Sequence, residues 1–164
     1  MINHTVKLTV PDATAEQFYD FMINPDDRRY SEWWPGEHIQ YHLIKRGDEN
    51  HLDDEVYFDE CLGGKRRVSF FAVVKDVARP GRIVWQMKKA GIRLPAFLNF
   101  EMYDSTEGIR LKHEMTLGYP GPGRFLDPFI RLYYNTSFRA AFEEHCQSEW
   151  PKLAEYLKRL SNAR

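Results

Sequence analysis

The chain has 164 residues, 43% of them hydrophobic and 15% aromatic, which is ample for one core and short for two, so a single domain over residues 1–164 is expected and intrinsic disorder is excluded. Lys and Arg number 23 against 24 Asp and Glu, for a formal net charge of -1, and no basic stripe tracks phosphates, so nucleic acid is not an expected partner. No apolar run nears the ~18 residues of a membrane span and the start lacks the order of a signal peptide, which predicts a cytoplasmic location with no transmembrane segment.

Residues 4–10 alternate, with Val6, Leu8 and Val10 on one side and Thr5, Lys7 and Thr9 on the other, the period of a half-buried strand. Pro11-Asp12 stops it. Thr14-Ala15-Glu16-Gln17 then has the form of a capping box, so a helix starts there, with Phe18, Phe21 and Met22 on its apolar face. Asn24-Pro25 ends that helix and offers a cap and a first-turn proline for a second, short one. The second runs to the aromatic cluster Tyr30, Trp33 and Trp34 and stops at Pro35-Gly36.

Beyond it the chain reads as strands over residues 39–45, 55–62, 67–77, 82–88, 97–103 and 109–117. Turn chemistry separates them at Arg46-Gly47-Asp48, Gly63-Gly64, Arg79-Pro80-Gly81, residues 91–95 and residues 104–108. Connections this short pair sequence neighbours antiparallel, because parallel pairing needs a crossover of about a dozen residues or more. After Tyr119-Pro120-Gly121-Pro122-Gly123, residues 124–160 change to helical periodicity. Phe138, Phe142, Cys146, Trp150, Leu153, Leu157 and Leu160 recur at steps of three or four, which makes one face buried. Pro151 predicts a kink near Gln147 or a restart at Trp150.

The expected fold class is therefore α+β, and the order of elements resembles the helix-grip architecture of the START and polyketide-cyclase-like superfamily (SRPBCC) over nearly the whole chain. Residues 11–18 look like that superfamily's strand-to-helix entry. Arg79-Pro80-Gly81-Arg82-Ile83-Val84-Trp85 looks like its turn into a central strand, and Gly108-Ile109-Arg110-Leu111-Lys112-His113 like its Gly-Thr-Arg-Leu-Thr strand opening, with Ile109 in place of the commoner Thr. The resemblance implies a curved antiparallel sheet of about seven strands wrapped around a long C-terminal helix, with two short helices after the first strand. It also implies a cavity between sheet and helix for a lipid, sterol, polyketide or other apolar metabolite.

Strand parity picks the side chains that would face such a cavity. Leu111, His113, Met115 and Leu117 share a face, as do Ile83, Trp85 and Met87, then Leu98, Phe100 and Met102, and then Val56, Phe58 and Glu60. His113 and Glu60 stand out because an ionisable group taken from water needs a partner or a purpose. His113 is expected to be a core histidine bonded to a neighbour, with a general acid/base or a hydrogen-bond donor to a ligand as the alternative. Glu60 is expected to pair with Arg67 or Lys65. Trp33 and Trp34 are expected to anchor the core, with a lid at the cavity mouth as the alternative. Phe129, Tyr133 and Tyr134 stand near the start of the last helix. No metal or other cofactor is expected, since His38 and His42 lie roughly 13 Å apart if both belong to one strand. There is no His-Glu-x-x-His, GxSxG elbow or P-loop lysine. Cys61 and Cys146 are far apart in sequence and read as reduced, packed thiols.

The expected function is binding of a small hydrophobic molecule, with Trp34, Phe58, Trp85, Met87, Phe100, Met102, His113, Met115, Tyr133 and Phe142 as ligand contacts. Two alternatives stand beside it: a cyclase or dehydratase-type enzyme using His113 with Glu60, and a protein-interaction module of chaperone-activator type with a filled interior. A homodimer is compatible with all three.

Overall fold

A computed structural model describes residues 2–64, 66–119, 121, 128 and 134–162. The chain begins with β1 (Ile2–Val10), α1 (Ala15–Ile23) and α2 (Asp27–Trp33). Six further strands follow: β2 (His38–Lys45), β3 (Glu55–Leu62), β4 (Arg66–Ala78), β5 (Arg82–Lys89), β6 (Ile92–Ser105) and β7 (Gly108–Leu117). The last element is α3 (Thr136–Asn162).

All seven strands form one sheet in the order β1-β7-β6-β5-β4-β3-β2, with every neighbouring pair antiparallel. Strands β2 to β7 are a meander, and β1 returns to the free edge of β7, so that Val6 lies opposite His113. Gly108 has φ +119, and a Cβ placed there would come within 2.3 Å of the Val10 carbonyl oxygen. Only glycine lets the two strand ends approach so closely.

The capping box at α1 is present in full, with Thr14 Oγ1 accepting from the Gln17 amide and Gln17 Oε1 accepting from the Thr14 amide. At α2 the expectation of an Asn24-Pro25 start is corrected. Asn24 ends α1, and Asp26 is the cap of α2, its carboxylate accepting from the Arg29 amide at 2.9 Å. An aspartate there suits the positive end of the helix and satisfies an otherwise orphan donor.

Strand β6 begins at Ile92, not near residue 97, because the turn needs only Ala90 and Gly91, both at positive φ (50° and 79°). A pair of left-handed residues matches the twist of a two-residue hairpin. Pro95 fits into the strand at an irregularity, where Gln86 pairs Phe97 but Lys88 pairs Arg93. A proline has no ladder donor to lose at a bulge.

Helix α3 runs unbroken through Pro151 rather than restarting at Trp150. Its N-terminus is capped by Asn135, whose side chain accepts from the Phe138 amide at 3.0 Å, so the helical run expected from residue 124 has a boundary here. Phe129 and Tyr133 lie outside the described residues. The C-terminal half of α3 packs with α1 and α2 on the concave sheet face: Trp150 meets Phe100 (ring centroids 4.5 Å apart), Trp33 (5.7 Å) and Phe18 (6.3 Å). Leu160, expected on the buried face, is 37% exposed at the helix end. Among the described residues no helix is long and apolar enough to cross a membrane.

Candidate functional site

Between the sheet and the N-terminal half of α3 lies a cavity of about 560 Å³, inside the range of roughly 300–1,000 Å³ usual for small-molecule sites. Its walls come from β3 to β7 and from α3, with Met87, Leu94, Ala96, Leu98, Met115, Leu117, Phe138 and Phe142 supplying apolar surface. One side of this space is polar, and there His113, Glu60, His145 and Glu149 reach the surface of the cavity.

His113 is carried by β7 on the same face as Leu111 and Met115, and it lies opposite Phe100 on β6 and Val6 on β1. Phe142 and Trp150 of α3 pack against its ring at 5.1 and 5.5 Å between centroids. Nδ1 lies 3.2 Å from Cys146 Sγ. Burial, reinforced by His145 and His4 nearby, pushes the imidazole down to about 3, so it is neutral at ordinary pH and offers one donor and one acceptor. Burial likewise pushes the Cys146 thiol up, so it stays protonated and is a poor nucleophile.

The polar side has a deeper layer. His38, at the first position of β2, faces Glu60 of β3 across the strand pair. His145 and Glu149 lie one turn apart on α3. His38 Nε2 is 3.5 Å from Glu149 Oε1, while His145 Nε2 is 4.0 Å from both Glu60 Oε2 and Glu149 Oε2. Glu37 brings Oε2 to 3.8 Å from His145 Nδ1, and the Tyr30 hydroxyl donates to Glu60 Oε2 at 2.9 Å. Aromatic rings close the outside: Tyr30 stacks on His38 at 4.3 Å and Trp34 stacks on His145 at 4.9 Å.

Electrostatics follow from this enclosure. Burial raises the Glu60 carboxyl to about 7 against the opposing pull of the Tyr30 hydrogen bond, with Asp59 and Glu37 adding to the rise. Burial and then the Glu60 charge raise Glu149 well above the carboxylate range. Burial lowers His145 to about 4, and burial with His145 alongside lowers His38 well below its usual value. Both ring nitrogens of His38 and of His145, and Glu37 Oε2, are buried without a hydrogen-bond partner. Two sets of side chains could hold a cation: His38, Glu60, His145 and Glu149, whose ligand atoms all lie within 4.8 Å of one another, and His113, Cys146 and Glu149.

The residues expected from strand parity divide into two groups. Met87, Met115, Phe142, His113 and Glu60 line the cavity. Phe58, Trp85, Phe100 and Met102 also turn inward, but they pack in the core without reaching the cavity surface. Helical aromatics cover two of them, Trp150 lying over Phe100 and Tyr30 edge-on to Phe58. Trp34 is outside the lining as well and packs against His145. Trp33 is buried among Phe21, Tyr30, His38 and Trp150, with its indole N–H donating to the Glu149 carbonyl. Tyr134 lines the space, whereas Tyr133 lies outside the described residues.

Glu60 does not pair with Arg67, which instead forms a two-pronged bridge to Asp59 on the opposite sheet face; the partner of Glu60 is Tyr30. Lys65 lies outside the described residues. From sequence His38 is considered only beside His42, and His145 and Glu149 are not reached. A His and a Glu four residues apart on the buried face of a helix are the one local signal that points to the latter two.

No family model and no curated protein matches the chain. Solved structures do. TTHA0849 from Thermus thermophilus is 15% identical with a TM-score of 0.63, over 98% of this chain and 99% of that one. KanY is 11% identical with a TM-score of 0.63 over 96% and 97%, and Ara h 8.0201 is 10% identical with a TM-score of 0.59 over 96% and 98%. At such identities the likeness is one of fold, running end to end in all three. The chain has the helix-grip fold that its sequence resembles, with the curved seven-stranded sheet gripping α3.

Proposed function

We propose that this protein binds a small hydrophobic molecule carrying one polar group. The observation that carries the reading is the cavity of about 560 Å³ between the sheet and the first half of α3, apolar on most sides and polar at His113, Glu60 and His145. Met87, Leu98, Met115 and Phe142 take the apolar body. Neutral His113 orients the polar group by a hydrogen bond, a specificity device common to mostly apolar sites. An open interior of this size runs against a module with a filled core.

The test uses an environment-sensitive apolar dye, 1-anilinonaphthalene-8-sulfonate, titrated into the folded protein and into Ala96→Trp, which puts an indole into the space. Saturable one-to-one binding in the parent and its loss in a folded Ala96→Trp variant is the expected result. Equal dye binding by both proteins, or none by the parent, overturns the reading.

A second reading, proton transfer to a bound substrate, is favoured by the placement of Glu60. Its carboxyl faces the cavity, is held by Tyr30, and is pushed up to about 7, where an acid/base group works best near neutral pH. His113 is too weakly basic to take that role itself.

A further inference from the structure

We propose that His38, Glu60, His145 and Glu149 bind a divalent transition-metal ion of the zinc, cobalt or iron type at the polar side of the cavity. The inference holds whether or not an apolar ligand enters the same space.

Geometry is the first argument. The four side chains each offer a ligand atom within 4.8 Å of the others, and the separations that can be compared are 3.5 and 4.0 Å. Nitrogen and oxygen ligands at about 2.0–2.2 Å from a tetrahedral ion lie about 3.4 Å apart. Small rotations of side chains close that difference. The ligands also sit on rigid elements: one pair faces across adjacent strands β2 and β3, and the other pair occupies successive turns of α3. Such a scaffold fixes a site better than a loop does.

The second argument is what the four groups lack. His38, His145 and Glu149 are 1%, 3% and 5% exposed, yet all four imidazole nitrogens are without a hydrogen-bond partner. Buried polar atoms are rarely left so, and an ion is one of the few things that satisfies several at once. Among the described residues no Lys or Arg forms an ion pair with Glu60 or Glu149; histidines are their only neighbours of that kind. Two carboxylates and a divalent cation sum to zero charge, which a low-dielectric site tolerates.

Supporting contacts fit the same occupant. A metal-bound histidine commonly turns its other nitrogen to a carboxylate, and His145 directs Nδ1 towards Glu37 while Nε2 faces Glu60 and Glu149. Tyr30 fixes the Glu60 carboxylate from outside. Imidazole with carboxylate favours transition metals over magnesium or calcium, which prefer oxygen alone. Glu60, His145 and Glu149 line the cavity, so the ion has a path in and an open side facing any bound molecule. The rival set, His113 with Cys146 and Glu149, has fewer ligands, and His113 Nδ1 is already against Cys146 Sγ.

The experiment is metal binding by the full chain, stripped with a chelator and titrated separately with Zn²⁺ and Co²⁺, with visible absorption and thermal unfolding as readouts. The expected result is one ion per chain, a d–d spectrum without a thiolate charge-transfer band, and a melting temperature that rises with metal. His38→Ala, His145→Ala and Glu149→Gln each weaken binding at least tenfold. Glu37→Gln, which removes no ligand, weakens it by about tenfold. Cys146→Ala leaves affinity within about twofold. Should a ligand variant fail to fold, the parent, Glu37→Gln and Cys146→Ala still decide the matter. Sub-stoichiometric uptake by the parent overturns the proposal, as does unchanged affinity in Glu37→Gln or a loss confined to Cys146→Ala.

Discussion

The two halves of α3 lie on one curved sheet and do opposite things. From Trp150 to Leu157 the helix is sealed against the sheet with α1 and α2 behind it, and Phe18, Trp33, Phe100 and Trp150 interlock ring against ring. From Phe138 to Glu149 the same helix rests on His4 of β1 and His113 of β7 along one side and borders the cavity along the other. The difference is the third layer. Helices α1 and α2 bring Phe18 and Trp33 against Trp150, while towards the cavity Trp34, at the end of α2, stacks on His145; packing to crystal-like density needs partners on every side. Among the described residues α1 and α2 contribute nothing to the cavity lining, and the position of the cavity follows from where those short helices are laid.

That contrast predicts unequal responses to truncation. Trp150→Ala in the sealed half should cost about 3–5 kcal/mol, because the large ring leaves a hole that the rigid surroundings cannot close; chemical denaturation measures it. A cost below about 1.5 kcal/mol would mean that the two halves are alike in packing.

His113 sits at the border, and its effect depends on pH. Its folded-state value is lowered to about 3 from 6.5, so between those limits the unfolded chain takes up a proton that the folded chain refuses. Stability from this residue is therefore full above about pH 6.5 and is lost as pH falls towards 3. With a chelator present, moving from pH 7.5 to pH 5 should cost the parent up to about 2 kcal/mol more than it costs His113→Gln. Parallel curves for the two proteins would place His113 in water.

Smaller effects test the supports. Thr14→Ala removes the cap of α1, the helix that backs the sealed half, and should lower stability by about 1 kcal/mol. Met87→Ala, in the cavity wall, should cost about 1 kcal/mol or less, since its side chain already has space beside it and little new void is created. A loss as large as that of Trp150→Ala would show that the wall is load-carrying core.

Much of this architecture was legible in the sequence. Alternation over β1 and β7, the capping box at Thr14 and the four-residue spacing of Phe138, Phe142, Cys146 and Trp150 are local patterns, and local patterns specify elements. The order of those elements is what resembles the helix-grip fold. Strand parity placed Met87, Met115 and His113 on the inner face, yet could not separate them from Trp85 and Phe100 on that same face, because parity knows nothing of what lies above the sheet. The polar cluster was harder still. His38 was weighed only against His42, which turns away to Asp27 at 3.2 Å, whereas its neighbours Glu149 and His145 are more than a hundred residues distant. Side chains that meet only through tertiary folding leave no spacing to read.

Pro151 lies almost on the boundary between the two halves of α3. Having no amide hydrogen, it leaves the Gln147 carbonyl without its rung, and a helix bends most cheaply where a rung is missing. Downstream, Leu153, Ala154 and Leu157 are pinned in the core. Upstream, Phe142 and Cys146 are held as firmly, against His4 of β1 and His113 of β7, so contacts on both sides keep the helix continuous across the missing rung.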